Sequence, residues 1–272
     1  MKSFTVNYIF EKGSSSLNED NLLIKKSIFG VFDGASSLTP WRDKKGRSGA
    51  FLASFIAKNA FEKVDKPLLA LAREANLRIR SEMEKAGIGI SRKVNLWSTT
   101  CAAVKIGNNF FDWVQTGDSL ILLIDEDNSY KLLVEDYDHD EEVLTLWKKL
   151  ADKKMKNIRE FLNEEVIKIR EKMNVTYGMI NGEDSALSFL NKGRESLKYI
   201  RHILLFTDGL FIPKESPKTK DDFNTFIRLF LEGGLAKVKR YVRSIEKSDP
   251  DCWKYPRYKQ YDDIAAISLS FD

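Results

Sequence analysis

The 272 residues are 43% hydrophobic and 31% charged, too apolar for a disordered chain and long enough for one enzyme-sized unit spanning 1–272. Lys and Arg are interspersed with nearly as many Asp and Glu, so the net charge of +4 gathers into no basic block and excludes a dedicated nucleic-acid surface. Cys101 and Cys252 provide neither a disulfide framework nor a thiolate zinc site, and no apolar run reaches the roughly 18 residues of a membrane span, so a monomer of the reducing cytoplasm is expected.

Met1 to Phe10 alternates Phe4, Val6, Tyr8 and Phe10 as a half-buried strand does, without the charged start, apolar centre and cleavage site of a signal peptide. Leu22–Lys26 and Ile28–Phe32 read as two further short strands. Helical spacing starts in Gly49–Val64, with Leu52, Phe55, Ile56 and Ala60 on one face. It resumes after Lys66-Pro67, where Leu68, Ala72, Ala75, Ile79 and Met83 recur until Gly87. Thr99–Lys105, Phe110–Thr116 and Leu120–Asp125 are predicted to form an antiparallel meander, turning at Gly107-Asn108-Asn109 and at Gly117-Asp118. From Asp138 to Met173 a helical stripe runs through Val143, Trp147, Leu150, Ile158, Leu162, Val166, Ile169 and Met173. An unbroken helix there would span roughly 54 Å, so a break is predicted near Lys153-Lys154, where the stripe lapses. Ile200–Thr207 reads as a buried strand, Asp221–Glu232 and Leu235–Lys247 as amphipathic helices, and Ile264–Phe271 as a last strand. Helices preceding an antiparallel meander predict an α/β (α+β) arrangement with mainly antiparallel sheets, not a doubly wound nucleotide fold.

Acidic residues recur where an apolar strand meets a turn, in Phe32-Asp33-Gly34, Thr116-Gly117-Asp118, Thr207-Asp208-Gly209 and Tyr261-Asp262-Asp263. Carboxylates brought together from such ends repel unless protons or cations neutralise them, and oxygen donors without clustered His or Cys favour hard ions such as Mg²⁺ or Mn²⁺. A single Asp-Gly is ordinarily a hairpin turn, and Gly also lets a backbone carbonyl come close to a ligand.

Six segments in order resemble the motifs of the type 2C metal-dependent serine/threonine protein phosphatases: Asn18-Glu19-Asp20-Asn21, Val31-Phe32-Asp33-Gly34, Ser98-Thr99-Thr100, Gln115-Thr116-Gly117-Asp118-Ser119, Leu205-Phe206-Thr207-Asp208-Gly209-Leu210 and Asp262-Asp263-Ile264. The resemblance runs from near the N-terminus to the last strand and is to the bacterial members. It implies a four-layer αββα sandwich of two antiparallel sheets with a two-metal site, for Mn²⁺ or Mg²⁺, in the cleft between them. Asp33 would bridge both ions, the Gly34 carbonyl with Glu19 or Asp20 would bind one, and Asp208 with Asp262 would hold the other. Asp118 would share a weaker third ion with Asp208. Catalysis would run through Asp33, Asp208 and Asp262, by attack of a metal-bridging water on phosphoserine or phosphothreonine of a protein substrate.

Two departures from the animal members bear on the chemistry. Ala35-Ser36-Ser37 stands where they carry a His after the Asp-Gly, and Ser15 stands where an Arg grips the substrate phosphate. Lys12, Ser14 and Ser15 are then the candidates for phosphate contact. The departures also motivate two other readings, a catalytically weak binding or regulatory module on the same fold and a small-molecule phosphoesterase. His139, in an acidic run, reads as part of a helix start capped by Asp138, and 138–173 as a covering layer of the sandwich in preference to a flap over the cleft.

Overall fold

The computed structural model describes residues 2–36, 38–135 and 138–271. Strands β1 (Phe4–Glu11), β10 (Ile264–Phe271), β9 (Ile200–Phe206), β6 (Leu120–Asp125) and β7 (Tyr130–Leu132) lie side by side in one sheet; β2 (Asn21–Lys25), β3 (Ile28–Phe32), β4 (Cys101–Ile106), β5 (Phe110–Thr116) and β8 (Asn191–Ser196) form the other. Every neighbouring pair is antiparallel. The sheets face each other through Phe29, Val31, Val104, Ile121, Ile203, Leu205, Ile267 and Leu269. Helices α1 (Gly49–Phe61) and α2 (Leu68–Lys85) bury Ala53, Ala57, Leu71 and Ile79 against the outside of the second sheet. Helix α6 (Phe223–Ser248), kinked at Gly233 and Gly234 between the two predicted amphipathic stretches, covers the first. The expected αββα sandwich is therefore what the chain adopts, and it explains the near-continuous apolar strands: in β9, Ile203 and Leu205 point between the sheets while Leu204 and Phe206 point under α6.

The predicted meander is not formed. β4 and β5 pair, with Cys101 opposite Thr116, but β6 pairs with β9 and β7 in the opposite sheet. Gly117, at φ +73°, turns the chain across the sandwich instead of folding it back, a conformation that costs a side-chain-bearing residue steric strain. The run Leu120–Ile124 is buried throughout, which marks a covered strand without naming its neighbour. Strands β7 and β8 escape the sequence because both are edges, one of three residues and one, Asn191–Ser196, with a polar sequence.

The 138–173 segment breaks as expected, into α3 (Glu141–Ala151), α4 (Ile158–Phe161) and α5 (Asn163–Glu171), with Lys154 and Asn157 at positive φ between the first two. It is not a covering layer. Val143, Trp147, Ile158, Leu162 and Ile169 pack with Met173, Tyr177, Met179 and Cys252 in a cluster of their own. Trp147 Nε1 donates to the Cys252 carbonyl (2.9 Å) and Trp253 Nε1 to the Met155 carbonyl (3.1 Å), so the segment is tied to the loop that leads into β10. Among the described residues no helix is long and apolar enough to cross a membrane.

Candidate active site

In antiparallel sheets the end of one strand lies beside the start of its neighbour, so acids just after one strand and just before the next meet at a common edge. Asn21, the first residue of β2, pairs with Phe32, the last of β3, which brings Glu19-Asp20 beside Asp33. Phe206, the last residue of β9, pairs with Ala266 of β10, which brings Asp208 beside Asp262-Asp263. The crossing between β5 and β6 delivers Asp118 to the same edge. Asp33, Asp118, Asp208 and Asp262 all line one cleft between the sheets, with Gly34 on its wall. Asp33 is held by its backbone: its carbonyl accepts from Thr99 Oγ1 (2.8 Å) and Thr100 N (2.9 Å).

Burial pushes the carboxyl groups of Asp20, Asp33 and Asp208 well above the ordinary Asp value, and their neighbours push further: Asp33 is acted on by Asp20, Asp118 and Asp262, Asp208 by Asp33, Asp262 and Asp118, and Asp20 by Asp262 and Asp208. Asp118 is likewise raised by burial, with His139 opposing. The cation nearest Asp262 is the half-buried Lys259, whose Nζ donates to Asp262 Oδ1 (2.8 Å). Burial alone would lower its pKa, but Asp262, Asp33 and Asp208 together lift it above the ordinary lysine value.

Lys259 and the arginines at the rim, Arg159 and Arg170, leave the carboxyl groups of Asp20, Asp33, Asp118 and Asp208 raised all the same. Asp118 Oδ1 is buried without a hydrogen-bond partner among the described residues, an orphaned acceptor of the kind that a cation would satisfy. The carboxylates share the cleft without closing on one point, and no three described acidic, His or Cys side chains form a ready-made metal cluster. The two observations agree once the partners are named: Asp20 accepts from Thr207 Oγ1 (2.8 Å), Asp262 from Lys259, and Glu19 from Ser36 Oγ (2.6 Å) and Ser48 Oγ. A donor set of several carboxylates and no thiolate fits hard divalent ions.

Of the two acids offered for one ion, Asp20 interacts with the cluster, whereas both oxygens of Glu19 are taken by the two serines. Asp263, next to Asp262, is an anchor: its carboxylate accepts from Gly13 N (2.7 Å) and Glu19 N (2.8 Å) and so fixes the N-terminal loop to the start of β10. Lys12 is exposed and lines neither the cleft nor the hollow beside it. Ser14 is bonded to the Tyr261 backbone, accepting from its N–H at 2.9 Å, and Ser15 lines the adjoining hollow. Ser37 lies outside the described residues.

The two Asp-Gly pairs are not hairpin turns. Gly34 bridges to Thr99, and a Cβ there would sit 2.5 Å from the Glu19 carbonyl oxygen and 2.6 Å from that of Ala50. At Gly209, in the 3₁₀ turn Asp208–Leu210, a Cβ would overlap the Asp263 carbonyl. Close approach of backbones, not left-handed geometry, demands these glycines. Gly209→Ala is expected to cost about 2 kcal/mol, visible as a Tm roughly 6 °C lower in a melting curve; an unchanged Tm would show that this turn tolerates a side chain.

Several cleft residues carry no sequence signal. His139 does not belong to a cap formed by Asp138: α3 starts after Asp140, and Asp138 pairs with Lys214 at 3.1 Å. Instead the imidazole stacks on Tyr177 (4.1 Å between centroids, 9° between planes) with Nε2 3.9 Å from Asp118 Oδ2. Arg159 and Arg170 also reach the cleft from α4 and α5, and Arg170 Nη2 donates to the Ser36 carbonyl at 3.2 Å. The 138–173 segment thus forms a wall of the cleft. Its stripe of apolar residues marks the face it buries and says nothing of where the opposite face points.

Residues 13–240 match the family model for protein phosphatase 2C. A search of curated protein sequences returned no match. Solved structures are similar throughout their length. The catalytic domain of the serine/threonine phosphatase PstP in complex with two manganese ions is 16% identical with a TM-score of 0.61, over 98% of this chain and 97% of that one. The phosphatase PstP/Ppp of Mycobacterium tuberculosis is 15% identical with a TM-score of 0.62, over 99% of each chain. Stp1 of Staphylococcus aureus is 14% identical with a TM-score of 0.61, over 99% of this chain and 95% of that one. With the sandwich and the acidic edge already in place, the match over most of its length shows that the chain belongs to the protein phosphatase 2C family.

Proposed function

We propose that this chain is a metal-dependent phosphatase acting, as a monomer in the cytoplasm, on phosphoserine and phosphothreonine in proteins. The observation that carries the reading is the gathering of Asp20, Asp33, Asp118, Asp208 and Asp262 at one sheet edge, where their mutual repulsion calls for cations. Asp33 would hold two ions of Mn²⁺ or Mg²⁺, Asp20 and the Gly34 carbonyl would complete one site, Asp208 and Asp262 the other, and Asp118 with Asp208 a weaker third. When bound, such ions supply Lewis acidity, which activates water and neutralises phosphoryl oxygens. The chain itself positions and shields: Tyr177, Met179 and Ile169 make one side of the cleft apolar, which strengthens every charge interaction inside it. His139, stacked on Tyr177 in the cleft lining, would be the side chain to give a proton to a leaving oxygen, a role for which Ala35 offers no group. Both cysteines are free, which supports a reducing compartment.

Purified protein is expected to release phosphate from phosphothreonine peptides with Mn²⁺ present and to stop on chelation. Turnover that survives chelation would sink the reading, and metal binding without turnover would leave a binding module on the same fold.

A further inference from the structure

A second hollow adjoins the carboxylate cleft and shares Ser36, Arg159 and Lys259 with it, but contains none of Asp33, Asp118, Asp208 and Asp262. Its remaining polar lining includes Ser15, Ser16, Thr39, Arg42 and Ser48. The carboxylate among its lining residues, Glu19, has both oxygens occupied by Ser36 and Ser48, so three cations face one satisfied acid. Lys259 is committed to Asp262. Arg42 and Arg159 are not committed: neither guanidinium has an ion pair or hydrogen bond with a described residue, and Arg159 rests on the Tyr258 ring at 6.0 Å. An isolated backbone bridge between Arg42 and Ser48 holds Arg42 beside the first turn of α1, whose amide dipole adds to the positive potential. Exposed arginines are ordinary on any surface. Two unpaired ones, from the 42 and 159 segments, converging on a single hydroxyl-lined hollow are not.

We infer that this hollow is an anion subsite that holds a second anionic group of the substrate, a phosphate or carboxylate side chain flanking the phosphorylated residue. The scissile phosphate has to lie against cations held by Asp33 and Asp208, which the hollow lacks, and Arg159 in the shared wall lets two anions of one segment sit side by side. Planar guanidinium forks with nearby hydroxyls match the oxygens of phosphate or carboxylate. The inference deepens the phosphoprotein reading and rests on it.

A phosphothreonine peptide with a neighbouring glutamate or second phosphothreonine is expected to be turned over with kcat/KM at least about tenfold above its alanine-flanked counterpart. Arg42→Ala and Arg159→Ala each bring that ratio within about twofold, and Arg159→Lys, which keeps the charge and loses the fork, recovers only part of it. A ratio near one in the native protein, or one that either alanine substitution leaves intact, overturns the subsite. Calorimetric titration of inorganic phosphate into chelator-treated protein needs no turnover. Binding that weakens at least about tenfold in both alanine variants, but not in Arg228→Ala on α6, supports the subsite; binding that is absent or unchanged overturns it. If phosphate binds as expected while no peptide is hydrolysed with Mn²⁺, the phosphatase reading fails and the anion site stands.

Discussion

Asp33→Asn is expected to lower Mn²⁺-dependent phosphate release by at least about 10³-fold, some 4 kcal/mol of transition-state stabilisation, and Asp208→Asn to do the same. The amide keeps the size of the carboxylate and loses the charge that would hold a divalent ion. Each of the two acids is half-buried in the cleft wall and each is acted on by three other carboxylates. Folding is expected to survive, because removing one of several mutually repelling carboxylates relieves the cleft: metal-free Asp33→Asn melts higher than the metal-free native protein. Rate and melting temperature read together separate two causes of inactivity. An inactive variant that melts lower has lost its fold, while one that keeps more than a tenth of the native rate shows that the reacting centre lies elsewhere.

Stability without metal is expected to fall as the solution becomes less acidic, and Mn²⁺ to reverse the trend. Asp20, Asp33 and Asp208 hold protons in the folded chain at pH values where an unfolded Asp has lost them, through burial first and neighbouring carboxylates second. The folded state therefore binds more protons. Its stability from these groups is complete below the ordinary value of 3.8 and declines as pH rises through their raised values. Asp249 behaves oppositely. Burial raises it, but N–H bonds from Tyr255, Lys254 and Trp253 and the Arg257 guanidinium outweigh burial, so its contribution is present above the ordinary value and fades as pH falls through the lowered one. The chelated protein is accordingly most stable in mild acid and melts lower toward about pH 8. Mn²⁺ at about 1,000 times its Kd contributes about 4 kcal/mol, a Tm higher by roughly 10 °C. A melting temperature that is flat from about pH 5 to about 8, or indifferent to Mn²⁺, would mean that the carboxylates do not form one interacting set.

Much of the architecture is legible in the chain, for local reasons. Period-two and period-3.6 spacing place β1, β3, β9, β10, α1, α2 and the halves of α6 within a few residues, since those patterns record which face of each element is buried. The acids at Asp33, Asp118, Asp208 and Asp262 stand out because a charged residue within two positions of the end of an apolar strand has to lie at that end of the sheet. Lys259, His139, Arg159 and Arg170 are silent: each sits in a loop or on a short helix whose periodicity says nothing of its solvent-side direction. Glu19 resembles a ligand by its neighbours, and its carboxylate accepts from Ser36 and Ser48, residues distant in sequence that only folding brings to it.

The order of strands and helices, the burial of their apolar faces and the placement of acids at strand ends were determined by the sequence alone, because each depends on residues within a turn or two of one another. Which strand pairs with which was decided only by the tertiary structure, as the passage of β6 to the opposite sheet shows. So was the cationic wall that the 138–173 segment sets against the carboxylates. The physical reason is range: side-chain periodicity fixes what is buried through local sterics and hydration, while the partner of a buried face, and the charge that faces a buried carboxylate, follow from packing between segments far apart in the chain.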